Sequence, residues 1–255
     1  MRTSEFADAR FAKYAESGAY HWREVGSNLI AHNAFTAERY RLVIDRAALR
    51  DGDRVLDYGC GDAALLGMLH RRGTGRHELH GFDPNALAVE LAGAALAANG
   101  VSASVHASPA SIPDGFFDRV ICTEVIEHAS APDALLRELA RLLKPGGRAV
   151  VTTPIRLTEE PMDPNHVREW FPDEFARVFD VKPWRVVSHE QVVPASAPEV
   201  YFWRPPVFAR VPVFRILCNV LSIYGGVNAM SWLRMRPRLF MMQVVVAEKV
   251  SEVTS

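Results

Sequence analysis

The chain has 255 residues, of which 49% are hydrophobic and 23% charged, and its formal net charge is −1. These values are typical of a globular protein long enough to bury its own core, so they exclude general disorder, fibrous repeats and a need for disulfide or metal staples. The balanced charge also disfavours a domain that wraps nucleic acid.

The sequence predicts a soluble cytoplasmic protein. Its N-terminus lacks the apolar stretch of a signal peptide, and the most apolar later stretch, residues 211–224, is too short and too interrupted to span a bilayer. The cysteines Cys60, Cys122 and Cys218 form no Cys-x-x-Cys pair, which disfavours a disulfide framework or a thiolate zinc site. The 25 arginines against 4 lysines suggest a GC-rich bacterial genome.

Strands and helices are predicted to alternate after a helical N-terminal stretch. The predicted strands are residues 54–60, 77–83, 103–107, 118–123, 148–153, 184–193 and 239–247. The predicted helices between them are residues 63–72, 86–99, 132–143 and 172–178. This spacing predicts an α/β fold with a doubly wound, mainly parallel, seven-stranded sheet, whose parallel strands end at one edge, where ligands bind.

Four segments follow from this pattern. They are an N-terminal helical cap (1–50), a cofactor-binding α/β core (51–194), a substrate-cap insertion (195–238), and the last strand with a tail (239–255).

A glycine turn follows the first strand. Gly59 and Gly61 permit positive φ angles and a close approach of backbone N–H groups to a ligand. Asp83 ends the next strand, where a carboxylate can accept both hydroxyls of a ribose. An ordinary tight turn with a capping aspartate has the same pattern, and the loose dinucleotide fingerprint fits as well. Asp57 favours a ligand with an ammonium group, because its carboxylate would repel a pyrophosphate.

These segments resemble the class I S-adenosylmethionine-dependent methyltransferases. The matching stretches are residues 55–61, 81–83, 117–118, 124–128 and 143–147, in the family's order and spacing. The resemblance implies a Rossmann-like methyltransferase fold and S-adenosylmethionine as the cofactor, its methionine end at Asp57, Gly59 and Gly61 and its ribose at Asp83. The full implied set of cofactor contacts is Asp57, Gly59, Cys60, Gly61, Asp83, Pro84, Ser108, Thr123 and Glu124. Ser108 is a departure, since members often carry an acid there that contacts the adenine, but a hydroxyl can also accept a hydrogen bond.

Carboxylates and imidazoles follow the fourth and fifth strands. If a helical turn begins at Glu124, this residue shares one side with Glu127 and His128, and His166 emerges at the same edge. Such a set suits Mg²⁺ or another divalent metal, which would lower the pKa of an attacking hydroxyl.

The pattern is similar to the metal set of the small-RNA 3′-terminal 2′-O-methyltransferases. It is also similar to segments of bacterial small-molecule and sugar methyltransferases, where a metal is not assured. Two interpretations therefore stay open. Either Glu124, Glu127, His128 and His166 hold a metal, or His128 and His166 are catalytic residues, with one imidazole as general base.

The insertion is rich in arginine and aromatic residues. It has one acid, Glu199, and six arginines: Arg204, Arg210, Arg215, Arg234, Arg236 and Arg238. This composition suits an anionic or sugar-containing acceptor, but also a hydrophobic lid with solvated arginines, or docking to an anionic membrane. At the other end of the chain, Tyr20, His21 and Trp22 either close the pocket or pack in a core.

The leading hypothesis is an enzyme that methylates a hydroxyl of a small molecule or sugar by in-line attack. RNA 2′-O-methylation with a divalent metal is the alternative within the fold, and the overall acidity disfavours it. A nicotinamide-dependent dehydrogenase shares the glycine turn, but Asp57 and the antiparallel-type ending of the chain disfavour it. A non-catalytic binding module is the third alternative. The sequence identifies neither the acceptor nor the oligomeric state.

Overall fold

The computed structural model describes residues 13–73, 75–195, 197–202, 212–229 and 239–250. The strands are β1 (Arg54–Tyr58), β2 (Glu78–Phe82), β3 (Ser104–His106), β4 (Phe117–Thr123), β5 (Leu143–Pro154), β6 (Trp184–Pro194) and β7 (Phe240–Lys249). The helices are α1 (Lys13–Ser17), α2 (Tyr20–Glu24), α3 (Ala34–Ala47), α4 (Ala64–Arg72), α5 (Ala86–Ala98), α6 (Pro132–Leu142), α7 (Pro172–Val178), α8 (Ala197–Phe202) and α9 (Val213–Gly225). Short 3-10 turns lie at Pro109–Ser111 and Ile126–His128.

The strands form one sheet in the order β3-β2-β1-β4-β5-β7-β6. Strands β1 to β5 pair in parallel, and β7 runs antiparallel between β5 and β6. The predicted fold class is therefore confirmed. Chain direction across the sheet reverses at β1, because β2 lies on one side of it and β4 on the other. Ligands of open α/β sheets bind in the crevice that such a switch point creates.

Local sequence explains where the central helices begin. Helix α5 starts after Asn85, whose side chain accepts hydrogen bonds from the backbone N–H groups of Leu87 and Ala88 at 3.0 and 3.1 Å. Helix α6 starts with Pro132 in its first turn, where a missing N–H costs nothing. Its buried residues Leu135 and Leu139 are four apart and so face the sheet together.

Strand β5 begins earlier than predicted. The sequence places its start at residue 148, whereas the structure extends it back to Leu143 through the Lys-Pro-Gly-Gly stretch that follows the predicted helix 132–143. The pairing with β4 is irregular there, since the register shifts between Phe117 and Arg119. Gly146 takes up the distortion with a φ of +77°.

Alternate residues of the central strands supply the two core layers. Val55 and Ile121 face one layer, and Leu56 and Val120 face the other; all four are fully buried. Burying one such side chain contributes about 1.5–3 kcal/mol, so the layers fix the sheet as a rigid base for the site.

The N-terminal helices and the described parts of the insertion pack together. Helix α9 contacts both α3 and α8. Trp22 of α2 lies over Gly67 of α4, where an added Cβ would overlap the indole, and it donates a hydrogen bond to the backbone oxygen of Asp62 at 2.6 Å. Trp22 is thus a packing residue. In the described ranges, no helix has the length and apolarity needed to cross a membrane.

Candidate active site

A cleft of about 670 Å³ lies at the C-terminal ends of β1, β2 and β4. Its volume is in the range of small-molecule sites. The sheet side and the loops that follow it contribute Gly59, Asp83, Pro84, Asn85, Ala86, Leu87, Thr123, Glu124, Val125, Glu127, His128, Asp163 and His166. The N-terminal helices contribute Lys13, Tyr14, Tyr20, His21, Arg39 and Tyr40. The cleft therefore lies between the sheet edge and the N-terminal segment.

The turn after β1 requires glycine. Gly59 and Gly61 have φ angles of +81° and +54°, and an added Cβ would overlap Val125 at the first and the Tyr14 hydroxyl at the second. The backbone N–H groups of residues 59 and 60 donate to the Phe82 oxygen, and that of Gly61 donates to Asp83 Oδ2 at 2.9 Å. The expectation that these groups face a ligand is not met, because they tie the turn to β2.

Asp57, in β1, and Cys60, within the turn, do not line the cleft. Asp57 is 2% exposed, and its Oδ1 is buried with no hydrogen-bond partner. Burial, and next the carboxylates of Asp83 and Asp62, raise the pKa of Asp57 to about 8. Asp57 is therefore largely protonated near neutral pH in the ligand-free protein, and a cation bound above the turn would favour its ionised form.

Asp83 is on the cleft wall, as the ribose assignment requires. Its Oδ2 accepts from Gly61 and its Oδ1 accepts from the backbone N–H of Asn85, both at 2.9 Å, which holds the carboxylate in one orientation. Burial raises its pKa, although these two hydrogen bonds oppose the shift. Pro84 also lines the cleft. Ser108 does not, because its hydroxyl caps the following 3-10 turn by accepting from the backbone N–H of Ala110.

Glu124 departs from the expected helical turn. It follows β4 with a left-handed φ of +55°, and the 3-10 turn begins only at Ile126. Its Oε1 accepts from the Thr152 hydroxyl at 2.9 Å, and its Oε2 lies 3.5 Å from Arg39 Nη1. These contacts direct the carboxylate toward the N-terminal helix α3.

His128 and His166 come together, with ring centroids 5.0 Å apart. The backbone oxygen of Glu127 accepts from the N–H groups of Val167 and Arg168, which joins the two loops that carry the rings. Imidazole Nδ1 of His128 donates to the Asn165 backbone oxygen at 2.9 Å. The lone pair of His128 is therefore on Nε2.

Glu169 orients His166. Its Oε1 accepts from His166 Nδ1 at 2.6 Å and from the backbone N–H of Met162 at 3.2 Å, and the residue is 4% exposed. A carboxylate in this position holds the imidazole in one tautomer and stabilises it when it gains a proton.

Three of the four proposed metal ligands are close enough to share an ion. Ligand atoms of Glu127, His128 and His166 lie within 4.8 Å of one another, and Glu124 is not in this group. Glu127 is fully buried, and its Oε1 has no hydrogen-bond partner, while its Oε2 accepts from Thr153 at 3.2 Å. Burial, and next the charge of Glu124, raise the pKa of Glu127 well above its usual range. A buried carboxyl group with a raised pKa is stabilised either by binding a proton or by a cation beside it.

Sequence reasoning missed the residues that α1, α3 and the loop after β5 contribute, namely Lys13, Tyr14, Arg39, Tyr40 and Glu169. His21, named only as part of a closing segment, lines the cleft and holds Asp62, whose Oδ2 accepts from its backbone N–H at 2.9 Å. Arg39 and Tyr40 fall within the N-terminal stretch that was predicted to be helical, but the sequence does not show which side of a helix faces the cleft.

Most arginines of the insertion lie outside the described residues, namely Arg204, Arg210, Arg234, Arg236 and Arg238. Arg215 is described, and it donates to the backbone oxygens of Ile30 and His32 at 3.3 and 3.2 Å. It therefore fastens α9 to the loop before α3 and is not part of the cleft lining.

Comparison with known proteins agrees with this geometry. A family model described as a methyltransferase domain matches residues 30–191. A ubiquinone biosynthesis O-methyltransferase of Xanthomonas euvesicatoria pv. vesicatoria is 32% identical over 157 residues, which are 60% of this chain and 63% of that protein. The chain thus matches less than two thirds of that relative's length.

Solved structures share the fold at low identity. The [4+2]-cyclase SpnF has a TM-score of 0.61 at 22% identity, with 84% of this chain and 81% of that chain covered. A SAM-dependent methyltransferase from Aquifex aeolicus has a TM-score of 0.56 at 15% identity, with 86% and 99% covered. Because one of them is described as a cyclase, the fold alone does not determine the reaction.

Proposed function

The chain belongs to the class I S-adenosylmethionine-dependent methyltransferase family, and from that premise we propose that it methylates a hydroxyl oxygen of a small molecule. The observation that carries the proposal is the imidazole pair of His128 and His166 on the cleft wall, backed by Glu169. An oxygen acceptor needs such a base, because a neutral hydroxyl is a weak nucleophile. The similarity to an O-methyltransferase supports the same acceptor atom.

The cleft wall has the chemistry that S-adenosylmethionine requires. Bound there, the cofactor supplies an electrophilic methyl group on a sulfonium. Asp83 offers a fixed carboxylate for the ribose hydroxyls. Because the adjacent glycine turn lines the cleft through Gly59, no side chain from the turn lies between this carboxylate and the ribose. Arg39, whose Nε has no hydrogen-bond partner, offers a guanidinium for the carboxylate of the methionine end. Glu124 supplies negative charge for its ammonium group, and Asp57 adds a second negative charge when the bound ammonium group lowers its pKa and it releases its proton.

We assign the proton transfer to His166. Its Nδ1 donates to Glu169, so Nε2 carries the lone pair that accepts the hydroxyl proton of the acceptor. With the cofactor bound, the acceptor oxygen would bond to the methyl carbon as the carbon–sulfur bond breaks, which would leave a methyl ether, S-adenosylhomocysteine and a protonated His166 imidazole. Glu169 stabilises that imidazolium through its short hydrogen bond.

A divalent cation held by Glu127, His128 and His166 is the second form of the proposal. The unpartnered Glu127 Oε1 and the ligand-atom spacing fit such an ion, which would supply a lower pKa to a bound hydroxyl. The two forms exclude each other, since both use the same nitrogen of His166. Dialysis against a chelator separates them: activity that is lost and then restored by Mg²⁺, Mn²⁺ or Co²⁺ supports the metal form, and full activity in excess chelator supports the general base.

The two other enzyme classes have less support. An RNA acceptor would have to enter a cleft whose wall carries Asp83, Glu124, Glu127 and Asp163 against two basic side chains of the described residues, Lys13 and Arg39. The dehydrogenase alternative is wrong, because the chain belongs to a methyltransferase family.

Matched acceptors test the proposal. Release of S-adenosylhomocysteine would be measured with an ortho-diphenol, a simple glycoside and the corresponding aromatic amine, and the products identified by mass spectrometry. We expect methyl ethers from one or more hydroxyl compounds and their loss in His166→Gln. Turnover of the amine alone, or unchanged turnover in His166→Gln, would contradict hydroxyl methylation by this base.

A further inference from the structure

Helix α9 presents an apolar face to solvent. Its exposed large side chains are Val213, Leu217, Leu221 and Tyr224, with exposed fractions of 50%, 55%, 39% and 76%. Their spacing of four, four and three residues places them along one side of the helix. Solvent-facing sides of helices in globular proteins are normally polar, so this stripe has the reverse of the expected pattern.

The inward face of the same helix carries buried polar groups that fix its orientation. Asn219 is fully buried; its Nδ2 donates to the backbone oxygens of Leu29 and His32, and its Oδ1 accepts from the Tyr201 hydroxyl. Ser222 is 1% exposed, and its hydroxyl bonds His32 Nε2 at 2.9 Å. Turning α9 to bury its apolar stripe would break these hydrogen bonds and leave buried polar groups without partners. The outward orientation is therefore built into the packing.

The sequence around the helix carries only positive charge. Residues 200–247 contain six arginines and neither aspartate nor glutamate, a net of +6. The whole chain has a net charge of −1, so the remainder carries −7. Five of these arginines are outside the described residues, and they enter here only as charges of the segments that precede and follow α9 in sequence.

We propose that the α9 face docks on an anionic lipid bilayer, with its apolar stripe among the acyl chains. An apolar helix side within a stretch of sequence that carries only basic charges is the chemistry of helices that lie in the bilayer interface. A second copy of the chain fits less well, since residues 200–247 of each copy carry a net charge of +6. The proposal does not depend on which acceptor the cleft takes.

Vesicle co-sedimentation tests the docking. The full chain would be mixed with phosphatidylcholine vesicles, with and without phosphatidylglycerol. We expect binding to the anionic vesicles, weakened by salt, and at least a tenfold fall in partitioning for the double variant Leu217→Gln/Leu221→Gln, about 1.4 kcal/mol. The matched control is Val181→Gln/Val187→Gln, whose side chains are 49% and 46% exposed elsewhere on the surface. The control should bind as the wild type does.

A fluorescent label reports the contact directly. Cys60, Cys122 and Cys218 are buried, so a cysteine introduced by Leu217→Cys is the exposed thiol to label with an environment-sensitive dye. Anionic vesicles should shift its emission to the blue, and the same label at Val181→Cys should not respond. The proposal is overturned if the wild type does not bind anionic vesicles, or if the glutamine double variant binds equally well. Sedimentation velocity without lipid tests the alternative occupant. The proposal would also be overturned if the wild type and the valine control variant form a dimer there and the Leu217→Gln/Leu221→Gln variant does not.

Discussion

Above pH 8, replacing Asp57 by asparagine is expected to stabilise the ligand-free protein while weakening its hold on the cofactor. The pKa of this buried carboxyl is raised from 3.8 to about 8, mainly by burial. The folded state therefore keeps a proton that the unfolded chain has released. The stability that this proton contributes is fully present below about pH 4 and is lost as the pH rises through about 8.

The shift sets the size of the effect. The pKa difference between 3.8 and about 8 is about 4.2, which at 1.36 kcal/mol per pKa unit gives an upper limit of about 6 kcal/mol above pH 8. The real effect is smaller than this limit, because the protein relaxes around a buried charge and because asparagine places a polar amide in the same position. We therefore expect the free energy of unfolding to rise by about 1–3 kcal/mol at pH 9 and by less at pH 5.

Urea unfolding at pH 5 and pH 9 without cofactor measures the gain. Asp118→Asn is the control with the opposite sign. Burial opposes ionisation of Asp118, but the Lys144 ammonium and the Arg54 backbone N–H prevail and lower its pKa, so this variant should be less stable at pH 9. An Asp57→Asn gain that is absent at pH 9, or no larger there than at pH 5, would refute the reasoning.

Cofactor binding provides the second half of this test. A ligand ammonium near the turn lowers the pKa of Asp57, so binding releases a proton and the affinity for S-adenosylhomocysteine should rise with pH up to about 8. In Asp57→Asn the affinity should be lower, and this part of its pH dependence should be absent. A variant that keeps the wild-type pH profile would show that Asp57 does not sense the ligand.

Three further substitutions probe the site. Asp83→Asn should weaken S-adenosylhomocysteine binding in calorimetry by about 10–100-fold, because a charged acceptor for the ribose is lost; unchanged affinity would place the ribose elsewhere. Gly61→Ala should lower cofactor affinity by displacing Tyr14, whereas Gly73→Ala, at a similar φ of +58° with open space around it, should only lower the melting temperature. Glu169→Gln should reduce kcat by roughly 10–100-fold and leave cofactor affinity unchanged, and equal kcat values would exclude Glu169 as a positioning residue.

The sheet and its order of elements were predictable because their signals are local. Short apolar runs, turn glycines and capping residues such as Asn85 act within a few positions of the chain. Helix α5 accordingly starts where predicted and ends one residue early. The glycine turn was found for the same reason, since Gly59 has a backbone conformation that other residues rarely adopt.

The rest of the site depends on contacts between distant segments. Glu124 left the predicted helical turn because its carboxylate bonds Thr152, which is 28 residues away. The roles of Tyr14 and Arg39 depend on how the N-terminal helices cross the sheet edge, which no short pattern encodes. For α9, sequence composition indicated an apolar, basic segment, but the buried hydrogen bonds of Asn219 decide which side faces outward.

The cleft is expected to hold the cofactor with its sulfur toward the imidazole pair. A crystal structure of the complex with S-adenosylhomocysteine would show where both groups lie. We expect ribose hydroxyls within about 3 Å of the Asp83 carboxylate and the sulfur facing His128 and His166. A ribose bound away from Asp83, or a sulfur directed away from both imidazoles, would contradict it.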